Sequence, residues 1–327
     1  MLGPDRRALL AGLAGAFATG AGCVPAAAQE TETELPPIQL LTNLFTRVGA
    51  AVFIDGRGPF IFVIDTGAGT TSLADTLADR LALPSRPPML VHGITEATVT
   101  RSVGVERLTL GGLGFRNLAC PVFPRDQLGA DGLIGLDVLE RFRLRFDIVR
   151  RTASLTVRGV SIVMGGGALT GSRIRRDGLR AVDGRFGQMI TTQVTVNGQQ
   201  TAAFVDSGAQ YSIGNQTLLR AVSARRGEGG RPGRTVPILG VTGQSLRADL
   251  AEVQDLRLGA IQLGSTPLLF ADLHCFETLE LSGRPAMLIG GDLLGRFREV
   301  TLDFPANKIT FAGLRRRTTG RLEIPGR

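Results

Sequence analysis

Two tetrapeptides carry the residues of this chain best suited to chemistry. Asp65-Thr66-Gly67-Ala68 and Asp206-Ser207-Gly208-Ala209 each join a carboxylate to a hydroxyl residue and a glycine, and the two aspartates stand 141 positions apart. Two carboxylates brought to one place cannot both ionise cheaply, because the first charge disfavours the second, so the pair shares one proton. One member then acts as a base and the other as an acid. A water held between them can attack a carbonyl while the acid protonates the carbonyl oxygen. Such chemistry needs no metal, no cofactor, no serine nucleophile and no catalytic histidine. The chain has only two His and three Cys, which argues against a structural zinc site and against a disulfide framework.

A single Asp-Thr/Ser-Gly triplet is weak evidence, since it also describes a turn in which glycine supplies a positive φ. The surroundings of these two are stronger. Ala51-Val52-Phe53-Ile54-Asp55-Gly56 runs into Phe60-Ile61-Phe62-Val63-Ile64-Asp65, and Thr192-Gln193-Val194-Thr195-Val196-Asn197-Gly198 runs into Ala203-Phe204-Val205-Asp206. Each reads as a strand, a hairpin turn marked by Asp-Gly or Asn-Gly, and a second strand that ends in the carboxylate.

The match then continues in order. His92-Gly93-Ile94-Thr95 parallels Leu239-Gly240-Val241-Thr242, and Leu108-Thr109-Leu110-Gly111 parallels Leu256-Arg257-Leu258-Gly259. Leu133-Ile134-Gly135 parallels Leu288-Ile289-Gly290, and Phe146-Asp147 and Leu302-Asp303 each open a last strand. The offset grows from 141 to 156, which places insertions in the second copy, the largest being an Arg/Gly-rich loop over 224–235. An internal repeat of this kind makes the chain two copies of one mostly-strand unit. Short helices are expected over 136–142 and 292–297, with Asp137 and Asp292 as their N-caps.

Residues 1–28 read as an export signal. Arg6-Arg7 precedes a short Gly/Ala-rich apolar run that ends in Ala26-Ala27-Ala28, the layout of a cleaved signal, with a twin-arginine character. Cys23 is a weaker candidate for a lipid anchor, because Gly20 stands where such a site carries Leu. The apolar run is too short and too rich in Gly and Ala for a stable membrane span. Residues 29–37 form an acidic, exposed lead-in, 38–160 the first lobe, 161–171 a connection and 172–327 the second lobe. A periplasmic or secreted location follows.

The 327 residues carry a formal net charge of +8, and 37 residues are basic although Lys308 is the only lysine. The arginines are scattered, with no basic stripe interleaved with aromatics, so nucleic acid is not an expected partner.

The chain resembles the aspartic proteases of the pepsin/retropepsin group on the two triplets and on the two hydrophobic-hydrophobic-Gly segments, over nearly all of residues 38–313. The resemblance implies an all-β, bilobal acid-protease fold with two pseudo-symmetric retropepsin-like lobes. It also implies an endopeptidase acting on a peptide or protein substrate, without cofactor or metal. Asp65 and Asp206 would be the catalytic dyad. Thr66 and Ser207 would tie the two loops together through hydroxyl–backbone hydrogen bonds, and Gly67 and Gly208 would permit close backbone approach.

The segments around Gly93 and Gly240 would be flap hairpins over the substrate, or one flap and its reduced counterpart. His92, beside the first of them, would touch substrate, sense pH or stand solvated in the loop. Ala68 and Ala209 depart from pepsins, which carry a hydroxyl residue there. A hydroxyl donating to the carboxylate would lower its pKa, so its absence predicts an optimum less acidic than pepsin's. Cys120 and Cys275 are either bonded or two free thiols. Because one chain carries both triplets, a monomer with an intramolecular dyad is expected. The rival reading is an exported, non-catalytic peptide-binding protein on the same duplicated fold.

Overall fold

The Asp-Gly and Asn-Gly hairpins form, and they set the start of each half. Asp55 and Gly56 have φ of 50° and 79°, and Asn197 and Gly198 have 48° and 75°, the paired positive values that a two-residue hairpin turn matching strand twist requires. In this computed structural model the described residues are 38–39, 49–157, 160–164, 176–185, 187–226, 234–239 and 244–315. The signal and lead-in expected over 1–37, with Cys23, lie outside them apart from any pairing at 38–39, and so does Gly240. Residues 35–327 belong to one compact unit.

Strands dominate, and among the described residues they form three sheets. The first half builds a seven-stranded sheet that turns back on itself, since Gly49–Ile54 pairs both with Arg57–Ile64 and with Ala97–Leu110. The second half builds a nine-stranded sheet that closes in the same way, with Met189–Val196 paired to Gln199–Val205 and to Ser245–Leu258. Alternation along Gly49–Ile54 puts Ala50, Val52 and Ile54 inside and Gly49, Ala51 and Phe53 outside, the period-two pattern of a strand covered on one face. The fold is therefore all-β with two retropepsin-like lobes.

The third sheet is shared. Its six strands include Arg143–Asp147 from the first lobe paired antiparallel with Glu299–Asp303 from the second, Leu144 facing Leu302 and Phe146 facing Val300. All four of these side chains are buried, as is Phe311, beside Val300 on the neighbouring strand. Burying one such apolar side chain contributes about 1.5–3 kcal/mol, so this seam is a substantial part of what joins the lobes. Asp147 and Asp303 close their strands rather than open new ones; hairpins follow to Thr152–Val157 and Lys308–Ala312.

The expected inter-lobe connection begins inside this sheet. Val160–Met164 is a strand paired with Thr152–Val157, and residues 165–171 are outside the described set. Of the loop expected at 224–235, residues up to Arg226 extend the Gln216–Arg226 helix, and Arg234–Leu239 is already strand.

Two further expectations change. The short helices span Leu136–Leu139 and Gly291–Leu294, and their N-cap residues are Gly135 and Gly290, with no side-chain cap. Asp137 and Asp292 lie in the first turn instead, and their carboxylates are engaged from a distance, as described below.

Candidate active site

Each aspartate stands at the end of a strand that is pinned from beneath. Arg57–Ile64 runs parallel to Gly132–Ile134, and the Asp65 N–H donates to the Ile134 carbonyl at 3.0 Å. Gln199–Val205 runs parallel to Ala286–Ile289, and the Asp206 N–H donates to the Ile289 carbonyl at 3.0 Å. The hydrophobic-hydrophobic-Gly segments are thus the strands under the two loops. They hold the carboxylates at the C-terminal ends of parallel pairs, where side chains project clear of the ladder.

The loops meet across the lobe boundary. The Thr66 N–H donates to Ser207 Oγ at 3.1 Å, and the Ser207 N–H donates to Thr66 Oγ1 at 2.9 Å. Each hydroxyl also reaches a carbonyl at the base of the opposite loop, Thr66 to Val205 at 3.0 Å and Ser207 to Ile64 at 3.2 Å. All four groups are buried, so this reciprocal net satisfies donors and acceptors that water cannot reach.

The glycines explain how the carboxylates come so close. A Cβ on Gly67 would lie 2.4 Å from the Asp206 carboxyl carbon, and one on Gly208 would lie 2.7 Å from an Asp65 oxygen. No side chain fits at either place, so each carboxylate rests on the other lobe's glycine.

Within its own loop, Asp65 Oδ1 accepts from the N–H groups of Gly67 at 2.9 Å and Ala68 at 3.2 Å. Asp206 Oδ1 accepts from Gly208 at 2.8 Å and Ala209 at 3.0 Å. Asp206 is buried, and burial first, then the Asp65 charge, pushes its pKa well above the ordinary carboxylate range, against the lowering effect of those two N–H donors. The Ala68 and Ala209 side chains add no hydroxyl donor.

A second layer escaped the sequence reading. Asp137 Oδ1 accepts from the Thr71 N–H at 2.9 Å and hydroxyl at 2.7 Å, and Asp292 Oδ1 accepts from the Ser212 N–H at 2.8 Å and hydroxyl at 2.6 Å. Those hydroxyl oxygens in turn accept from the N–H of Gly135 at 3.1 Å and of Gly290 at 2.9 Å. Each Asp therefore anchors the far side of the Asp65 or Asp206 loop to the short helix. Burial raises the pKa of both and takes Asp292 to about 6, opposed by the Thr71 and Ser212 bonds respectively. The available signal was a hydroxyl residue six positions after each Asp, at the same offset of 141 as the dyad.

A cavity of about 190 Å³ opens over both carboxylates. Met89, Pro121, Phe123, Leu128 and Leu133 line it from the first lobe, and Phe204, Thr278 and Leu279 from the second. The halves are unequal. Ser72 and Ile213 occupy equivalent register positions, opposite Leu133 and Leu288. Ser72 and Thr70 line the cavity, whereas their counterparts Ile213 and Tyr211 are buried in the second lobe's core with Phe276 and Leu281. At these two positions the first half has small side chains on the cavity and the second has large ones in its core.

The hairpin of Ser85–His92 and Ala97–Leu110 hangs over this cavity, its tip closed by the Gly93 N–H donating to the Glu96 carbonyl at 2.8 Å. Met89 through Ile94 line the opening. His92 is exposed, but it ends the first strand of this flap rather than standing in the loop, and it contacts His274 of the other lobe. The second-lobe counterpart is the pair Arg234–Leu239 and Ser245–Leu258, whose outer strand pairs in parallel with Ile38–Gln39. Cys120 and Cys275 are two free thiols, the first in the core and the second on the cavity wall.

No group of three or more metal-binding side chains occurs among the described residues. Nor is any helix among them long and apolar enough to cross a membrane.

A search of curated proteins finds no match. Among solved structures, the chain is similar to a retropepsin-like aspartic protease from Rickettsia conorii, with 13% identity and a TM-score of 0.29 over 44% of this chain and 96% of that one. Residues 50–138 and 192–293 match the aspartyl protease family, one segment around each of the two carboxylates. The chain belongs to the aspartyl protease family.

Proposed function

We propose that this protein is an aspartic endopeptidase in which Asp65 and Asp206 activate a water between them. The observation that carries the reading is the mutual arrangement of the two buried carboxylates. Each accepts two backbone N–H bonds on Oδ1 and abuts the other lobe's glycine. With one proton on the pair, the ionised member takes a proton from the water as its oxygen attacks the peptide carbonyl carbon. The protonated member gives its proton to the carbonyl oxygen. Collapse of the resulting diol moves a proton to the leaving nitrogen and breaks the C–N bond. The dyad then again holds one proton.

Purified mature chain assayed on a mixed peptide library from pH 3 to 8 tests this. Cleavage by the wild type and its loss in both Asp→Asn variants are expected. Equal cleavage by all three would remove the dyad from the mechanism, and no cleavage by any would favour peptide capture without hydrolysis.

The signal-like residues 1–28 support export, and we place the mature enzyme in the periplasm or outside the cell. Both carboxylates come from one chain, which supports action as a monomer.

Two further outcomes are expected. The pH–rate profile will peak well above pH 2, because Asp206 titrates high and neither alanine supplies a hydroxyl to lower it. Ala68→Ser with Ala209→Ser will shift the acid limb to lower pH. A wild-type optimum near pH 2 would contradict this. Secondly, Ser72→Phe will fill the hollow of the first lobe. It will cut kcat/KM for substrates with large apolar side chains beside the scissile bond by about tenfold or more, on the scale of a lost buried side-chain contact, while small ones remain substrates. An unchanged substrate profile would show that side chains bind elsewhere.

A further inference from the structure

The chain has two histidines, and they meet. His92, at the end of the flap strand, lies with Nδ1 2.9 Å from Nε2 of His274, 182 positions away on the opposite lobe. The ring centroids are 5.2 Å apart and the planes 16° from parallel, so the rings lie edge to edge as that hydrogen bond requires. Beside them the Cys275 N–H donates to the carbonyl of Ile94, in the flap tip, at 3.3 Å. The Ile94 side chain packs on the second lobe's core. The tip of the first lobe's flap is thereby attached to the His274–Thr278 helix, directly above the cavity that holds the dyad.

We propose that His92 and His274 form a latch that positions the flap over the cavity and lets go when both rings are charged. They are positioning residues, acting through the flap. The hydrogen bond requires one bare ring nitrogen. Nδ1 of His274 lies 3.6 Å from Glu277 Oε2, which favours the N–H there. That assignment leaves Nε2 to accept from the Nδ1–H of His92, with the Thr278 hydroxyl 3.1 Å away.

One added proton is tolerated, since the uncharged ring can still accept. A second sets N–H against N–H and charge against charge. The charged groups facing the pair are Glu277 on the helix, Arg185 from the turn before Met189–Val196, and the two carboxylates across the cavity. Cys275, the remaining titratable neighbour, is held protonated by burial.

The sign follows from His92. Burial first, then His274, then Arg185 depress its pKa below the ordinary 6.5. A histidine whose pKa is lowered in the closed state binds fewer protons there, so closure is favoured as pH rises and weakened as it falls. The flap is held at neutral pH and loosens in acid. This deepens the endopeptidase reading, because flap closure would set substrate retention, but the contact itself does not depend on hydrolysis.

The test uses the whole protein and two readouts. Amide exchange of the segment 91–97, corrected for the intrinsic pH effect, will be severalfold faster at pH 5 than at pH 8 in the wild type. His274→Gln keeps a non-titrating partner and will give similar protection at both values; His92→Ala will exchange fast at both. On a cleaved peptide, KM will rise with falling pH in the wild type but not in His274→Gln, while kcat follows the dyad in both. Equal wild-type protection at pH 5 and 8, or a His274→Gln variant that titrates like the wild type, overturns the latch. If no peptide is cleaved, the exchange measurement still decides it.

Discussion

Asp65→Asn and Asp206→Asn will each reduce peptide hydrolysis by at least about 10²–10⁴-fold, the span of general acid–base catalysis by one positioned group. They will do so without unfolding the protein. An asparagine oxygen can still accept the two loop N–H groups that Oδ1 accepts now, and the amide fills the same space. What disappears is the ability to exchange a proton with the attacking water.

Asp206→Asn carries a second signature. The wild-type carboxyl has a folded pKa above the unfolded value of 3.8. The wild type is therefore most favoured below that value and loses stability as pH rises through the folded pKa. The neutral amide escapes that loss, so the inactive variant will melt higher than wild type at pH 7, with the gain vanishing below about pH 4. Paired thermal melts at the two pH values and a progress curve on one peptide suffice. A variant that melts lower at pH 7 would show that the buried carboxylate is not under electrostatic strain.

Thr66→Val will cost the most stability for the fewest atoms. Valine keeps the shape of threonine and removes one hydroxyl, which here donates to the Val205 carbonyl and accepts from the Ser207 N–H. Both partners are buried, and each orphaned group costs about 1–3 kcal/mol, against a total for ordinary domains of about 5–15 kcal/mol. Urea unfolding will show a sharply lower midpoint, and activity will fall because the two loops lose their common reference. Thr66→Ser, which restores the hydroxyl, will recover most of both. A valine variant with the wild-type midpoint would mean that the cross-link is incidental to holding the lobes together.

What could be read from the residues was whatever repeats locally. The Asp-Gly and Asn-Gly turns, the strands ending in Asp65 and Asp206, and the Leu-Ile-Gly segments each announce themselves within ten residues and recur in the same order. Asp137 and Asp292 were misread because a carboxylate at a helix start has a good local use as a cap. Here glycine holds the cap position, and the hydroxyls of Thr71 and Ser212 win the carboxylate from 66 and 80 positions away. His92 looked like an isolated loop histidine for the same reason: its partner is 182 residues downstream, and no short-range pattern encodes that meeting. The contrast between Ser72 and Ile213 takes its meaning from pairing, since only the register opposite Leu133 and Leu288 puts the two in equivalent places.

That inequality matters because a peptide has a direction. Two identical halves related by a twofold axis present the same surface to either end of a chain laid across them, and can bind it both ways round. Here Thr70 and Ser72 of one half face the cavity, whereas their counterparts Tyr211 and Ile213 are buried in the core of the other. If the proposed endopeptidase reading holds, a substrate strand will have one favoured orientation, N-terminus to one lobe and C-terminus to the other. The two carboxylates, alike in their loops, would then meet chemically different ends of the bond. Fusing the halves into one chain is what permits this, since only then can a mutation alter one side and spare its twin.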